Sequence, residues 1–286
     1  MSGARIAILI DGGFFLKRLP HLVAANRCDS PLKIAACIRH LCRNHIKMLT
    51  GHQGERWQQH LYRIYYYDAV PYDGKAHHPI DNRPIDYSKT PVAQERHALF
   101  DLLRKERKLA LRLGKVARDH DWTLSPRLTK RALKSRVAVR ALDGLTVAPG
   151  GADLPTTLTL TPEQVRQLVE LRDFWTQEVH GGAVSLGLKQ KGVDMRIGLD
   201  ISTLTFKDQV DTIVLVAGDS DFVPAAKLAR REGVEFILDP LWQQVNADLF
   251  EHIDGLQSGL KKPGAAAEAV AELAPPLPAA PDAADH

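Results

Sequence analysis

Residues 212–238, TIVLVAGDSDFVPAAKLARREGVEFIL, decide the fold. The run opens with TIVLVA, an apolar stretch of strand length. FVPAAKLARREG then spaces its apolar residues helically and stops at Gly233, and VEFIL is apolar again. An apolar strand, a short amphipathic helix and a second apolar strand form one repeat of a parallel sheet that is covered on both faces. Asp219, Ser220 and Asp221 stand where the first strand gives way to the helix, with two carboxylates at i and i+2 on the lip of a buried sheet.

The same alternation extends outward from this unit. AVSLGLKQ (183–190) predicts a strand, VDMRIGLDISTLTF (193–206) a helix, and VNADLFEHIDGL (245–256) a final helix. At the other end of the chain RIAILI (5–10) predicts a buried strand that runs into a tight turn at DGG. KIAACIRHLCRNHIKML (33–49) has helical periodicity, and LYRIYYYDA (61–69) is rich in aromatic and branched residues, as strands are. A polar, Pro-containing loop follows, then a helix over 92–109, a strand at ALRLGKVA and a short helix at SPRLTKRALKS. The stretch 143–160 is turn-rich and predicts no element. Thr161 as N-cap, Pro162 at the first helical position and Glu163 in the first turn predict a helix beginning at 162. From 261 the chain is Ala/Pro-rich, the composition of a disordered tail.

In an open parallel sheet, ligands bind beyond the carboxyl ends of the strands. Asp11 follows the first strand, Asp194 follows SLGLKQKG, and Asp219 and Asp221 follow TIVLVAG. Three distant segments thus direct four carboxylates to one edge. Clustered carboxylates raise one another's pKa, a conflict that a hard divalent cation such as Mg²⁺ or Mn²⁺ removes. Such an ion can lower the pKa of a bound water and stabilise charge on a phosphate. The alternative for each residue is helix capping, most simply for Asp194 and Asp221. Asp68, at the end of the second strand, and Asp200, six residues beyond Asp194 and off its helix face, are secondary candidates.

Together, ILIDGGFF, LKQKGVDMRIGLDI and VLVAGDSDFVPAAKLARREGVEFIL resemble the NYN family, in particular the LabA-like branch of the PIN-like nucleases. The resemblance covers the first strand and roughly 183–256. It implies an α/β fold, a Rossmann-like three-layer sandwich with a mainly parallel central sheet, here carrying an inserted basic segment. The domain would span 1–260, with 70–180 as an elaborated insertion and 261–286 as the tail. It also implies a metal-dependent ribonuclease whose Mg²⁺ or Mn²⁺ is held by Asp11, Asp194, Asp219 and Asp221, with Asp200 assisting from the helix. Many relatives carry asparagine three residues after the first aspartate, where this chain has Phe14.

Lys189, Lys191 and Ser220 are candidates to contact substrate phosphate. Within 102–140 there are 13 Lys/Arg against three acidic residues, a concentration that suits a polyanion such as single-stranded or structured RNA. The same charges also suit the solvated face of a helix. His77 and His78, with Asp73 and Asp81 nearby, raise a zinc site, and the tyrosines of YRIYYYD raise base stacking. No Gly-rich phosphate loop follows a strand, which argues against dinucleotide and P-loop NTPase sites. A haloacid-dehalogenase-type phosphatase needs an acidic residue at position 13, which is glycine. The remaining alternative is a PIN-like module that binds RNA or protein without cleaving. Three clustered cysteines, no bilayer-length apolar run and no signal-peptide core predict a reduced, cytoplasmic protein away from membranes.

Overall fold

The computed structural model of the protein describes residues 5–51, 55–140 and 160–262. The tail from 263 onward and the turn-rich stretch up to 159 lie outside the described residues. Among the described residues nine strands and their helices follow in chain order. β1 (Ile6–Asp11) leads into α1 (Gly12–Arg18), α2 (Pro31–Thr50) and β2 (Leu61–Val70). The loop after β2 contains a small hairpin, β3 (Lys75–His77) with β4 (Pro84–Asp86). Next come α3 (Pro91–Arg104), β5 (Leu109–Leu124), α4 (Pro126–Lys134), α5 (Arg136–Val139) and α6 (Pro162–Asp173). The last stretch holds β6 (Val184–Lys191), α7 (Val193–Phe206), β7 (Thr212–Val216), α8 (Val223–Arg231), β8 (Glu235–Asp239), α9 (Ala247–Phe250) and β9 (Gly255–Leu256).

Seven strands form the main sheet in the order β6-β5-β2-β1-β7-β8-β9. β1 runs parallel to both β2 and β7, with Ile10 opposite Tyr66 and Val216, and β2–β5, β7–β8 and β8–β9 are parallel as well. Every residue of β7 is buried, which is why its sequence is continuously apolar rather than alternating. Side chains on one face of β1, Ile6, Ile8 and Ile10, pack with Ile38, Leu41 and Ile46 of α2 and Leu99, Phe100 and Leu103 of α3. Residues of opposite parity face α7 and α8; Tyr67 of β2 reaches Asp200 of α7 in this way. This is the mainly parallel α/β sheet that the strand–helix alternation predicts.

The chain divides into two compact units. One contains residues 1–71, 91–115 and 190–286, the other 72–90 and 116–189. Residues 91–115, which lie inside the stretch read from sequence as an insertion, group with the first unit. Within the second unit α6 begins as predicted: Thr161 and Gln164 form a reciprocal capping box, with Pro162 in the first turn.

Four local expectations change; the helix expected over 92–109 stops at Arg104, and Leu109 already begins β5. DGG opens α1 instead of a free turn, with Asp11 as its N-cap. β5 extends to Leu124, well past ALRLGKVA. The helix expected over 245–256 stops at Phe250, because Asp254 accepts the Phe236 N–H and pairs with Arg230, drawing the chain into β9 beside β8. No described helix is long and apolar enough to cross a membrane, and the three cysteines are free thiols.

Candidate active site

β1 and β7 are neighbours from which the chain leaves in opposite directions, β1 toward β2 and β7 toward β8. Their carboxyl ends therefore flank a topological switch point, where open parallel sheets leave a crevice for ligands. Asp11 is the last residue of β1, and Asp219 and Asp221 follow β7. Asp194 sits in the first turn of α7, which packs against β1 and β2. Gly12 lets α1 start hard against β2. A Cβ at that position would come 2.6 Å from both the Tyr67 carbonyl oxygen and the Tyr66 ring.

Two of the four carboxylates cap, and they are not the two that sequence favoured. Asp11 Oδ1 accepts the Phe14 N–H at 3.1 Å, and Asp219 Oδ1 accepts the Asp221 N–H at 3.1 Å. Asp194 and Asp221 accept no capping hydrogen bond among the described residues, and the N-cap of α7 is Gly192 in the left-handed conformation. None of the four carboxylates has an ion-pair partner among the described residues. Burial pushes the half-buried Asp11 up to about 6, and the neighbouring charge of Asp194 adds to the rise. Asp194 is raised too, by burial first and then by Asp219 and Asp221. Asp194 thus links the charge of Asp11 to those of Asp219 and Asp221.

Other acidic candidates are already neutralised. Asp68 is buried against Arg96, with its backbone neighbour Ala69 also donating to it. Asp200 accepts from Arg112 Nε at 2.8 Å and Tyr67 Oη at 2.8 Å, so it serves the α7–sheet contact. Phe14 stands over Gly218, where a Cβ would lie 2.5 Å from its ring. The position of the usual asparagine is thus an apolar wall beside the junction that carries Asp219. Ser220 opens the 3₁₀ turn 220–222. Lys191 closes β6 and is already engaged by another group, while Lys189 is exposed and belongs to the second unit. Sequence reasoning missed Gln190, whose Oε1 lies 3.4 Å from the Cβ position of Gly13, as Asp11 Oδ1 does. A lone exposed glutamine carries no pattern that would have marked it.

The zinc reading fails. His78 is buried with Nε2 2.9 Å from the Gly181 carbonyl oxygen, and Nδ1 accepts the N–H groups of Ile80 and Asp81. Both ring nitrogens are therefore occupied. Tyr65, Tyr66 and Tyr67 are core residues and offer no open ring for stacking. Much of the basic segment is also spoken for: Arg112 pairs with Asp200, Arg127 and Arg131 with Glu178, Arg104 with Asp101 and Arg118 with Asp121.

Among the described residues no three histidine, cysteine or acidic side chains are gathered closely enough to hold a metal ion by themselves. The donors are nevertheless hard oxygens left without counter-charge. Mg²⁺ is commonly held by one or two carboxylates together with waters and substrate phosphate oxygens. In kind, therefore, the donor set fits a divalent cation shared with a phosphate.

Residues 161–251 match the NYN domain. A crystal structure of a protein of unknown function from Vibrio parahaemolyticus is 12% identical, with 89% of this chain and 92% of that one covered at a TM-score of 0.38. No curated protein matches the chain significantly.

Proposed function

We propose that the protein is a ribonuclease that hydrolyses RNA phosphodiester bonds at the carboxyl edge of β1 and β7. The observation that supports this reading is that Asp11, Asp219 and Asp221 follow β1 and β7 and Asp194 opens α7, none of them with an ion-pair partner among the described residues, while Asp68 and Asp200 are paired. Mg²⁺ or Mn²⁺, when bound there, supplies charge neutralisation at the phosphate and a more acidic water.

The chain's own residues do the positioning. The Phe14 N–H holds Oδ1 of Asp11 in place at the end of β1. Asp219 is fixed in the same way by the Asp221 N–H. Phe14 limits water on the side of Gly218, and Ser220, in the 3₁₀ turn after Asp219, is a candidate to meet a phosphate oxygen. Single Asn substitutions test the assignment. Asp11→Asn, Asp194→Asn and Asp219→Asn each lower RNA cleavage by about 100-fold or more while RNA binding persists. Asp200→Asn lowers stability and leaves cleavage per folded molecule within a few-fold. Equal loss in all four variants would remove the distinction on which the site rests.

A further inference from the structure

α7 leaves an apolar stripe in water. Met195, Leu199 and Phe206 are 72%, 60% and 64% exposed, and their helical spacing puts them on one face over most of the helix. A Cβ on Gly198 would meet nothing within 4 Å, so another helix can approach closely beside Leu199. α8 flanks this face, and its Lys227 and Arg231 line the same groove as Asp194, Met195, Leu199 and Asp221. α7 ends before the start of β7 and α8 begins after its end, while β8 runs parallel to β7. Both helices therefore start at the carboxyl edge of the sheet and point away from it. Asp194 and Asp221 lie at that starting end, Leu199 and Lys227 further along, and Phe206 and Arg231 at the far end. Neither carboxylate has an ion-pair partner among the described residues, nor has Lys227, and Arg231 pairs with its exposed chain neighbour Glu232.

We infer that this face binds a second copy of the chain, the α7–α8 pairs of the two copies lying antiparallel about a two-fold axis. Acidic at one end, apolar along α7 and basic toward the other end, the face is complementary to itself when turned half a circle about an axis near Leu199. Lys227 and Arg231 of each copy then meet Asp194 and Asp221 of the other, and the two apolar stripes cover one another. Each carboxylate pair receives from the second copy the counter-charge that its own chain does not supply. An exposed apolar patch rimmed by charges marks an association surface, and a two-fold axis uses it twice. The inference goes beyond the ribonuclease reading: the second copy covers two of the carboxylates assigned there to cleavage.

The test is sedimentation velocity of the full chain over a concentration series, in low and in high salt. Wild type shows a monomer–dimer equilibrium that weakens as salt rises, because the contacts between the helix ends are charged. Leu199→Glu puts a charge into the apolar centre, and Lys227→Glu brings like charges together. Each weakens the dimer at least about tenfold, and Lys227→Glu also flattens its salt dependence. Leu133→Glu, on the exposed surface of α4 in the second unit, leaves the dimer unchanged. Thermal melts check that the variants are folded, and Met195→Glu takes the place of Leu199→Glu if that protein does not fold. A wild type that stays monomeric at every concentration, a dimer indifferent to the α7 and α8 substitutions, or an open-ended polymer in place of a closed dimer overturns the inference. The ribonuclease reading stands or falls on the Asp11, Asp194 and Asp219 variants and is untouched by any of these outcomes.

Discussion

Asp11, Asp68 and Asp239 all lie at or near the carboxyl end of a parallel strand, and their neighbours give them different roles. Arg96 neutralises Asp68. Asp239 is fully buried and accepts from His45 Nε2 at 2.8 Å, the N–H groups of Leu241 and Gly259, and Ser258 Oγ. It ties β8 to α2 and to the closing segment. Asp11 has a cap and, among the described residues, no ion-pair partner. The sequence made strand-end aspartates visible but not their partners, because Arg96 and His45 come from helices far along the chain. The lone charge has a measurable consequence. A folded-state pKa above the unfolded one means that ionising Asp11 opposes folding. Well below about pH 4 the group is protonated in both states; as the pH rises from about 4 to about 6 the unfolded chain ionises while the folded one holds its proton, and stability falls through that window. Asn keeps the capping oxygen and removes the charge. In EDTA, Asp11→Asn is therefore about 2 kcal/mol more stable than wild type near pH 7.5, and the gap closes toward about pH 4, as urea unfolding will show. Asp239→Ala has the opposite sign, costing about 3–5 kcal/mol by stripping a buried hub of its acceptor, while any folded fraction retains cleavage.

Elements were most legible where two signals agreed. TIVLVA becomes a strand because it is buried on both faces, and Val193–Phe206 is a helix with the predicted bounds. Thr161, Pro162 and the Gln164 reciprocal bond start α6 where the sequence placed it. Thr161→Ala removes that cap and lowers the stability of the second unit by about 1 kcal/mol, seen as faster amide exchange in the first turn of α6. The misses occurred where tertiary contacts override local pattern. VNADLFEHIDGL carries helical periodicity, yet the Asp254 bonds to Phe236 N–H and Arg230 turn it into β9 after one helical turn. DGG reads as a turn, but the absence of a Cβ at Gly12 lets α1 begin there against Tyr66 and Tyr67.

At the scale of the whole chain, the first unit is assembled from three sequence segments. Asp11 and the Asp194–Asp221 region belong to it although more than half the chain separates them. The NYN match at 161–251 takes in Asp194, Asp219 and Asp221 but not Asp11, so the fourth carboxylate joins the set only through the parallel pairing of β1 with β7. Net basicity was the least informative sequence signal, since ion pairs absorb a good part of the charge in 102–140. The measurement that bears most directly on the central claim is cleavage of end-labelled single-stranded RNA in Mg²⁺ or Mn²⁺, with EDTA and Asp219→Asn as controls. Cutting that requires the cation and disappears in both controls is the predicted result. RNA that is bound but left intact under every condition, or cut equally by the Asp219→Asn protein, would contradict it.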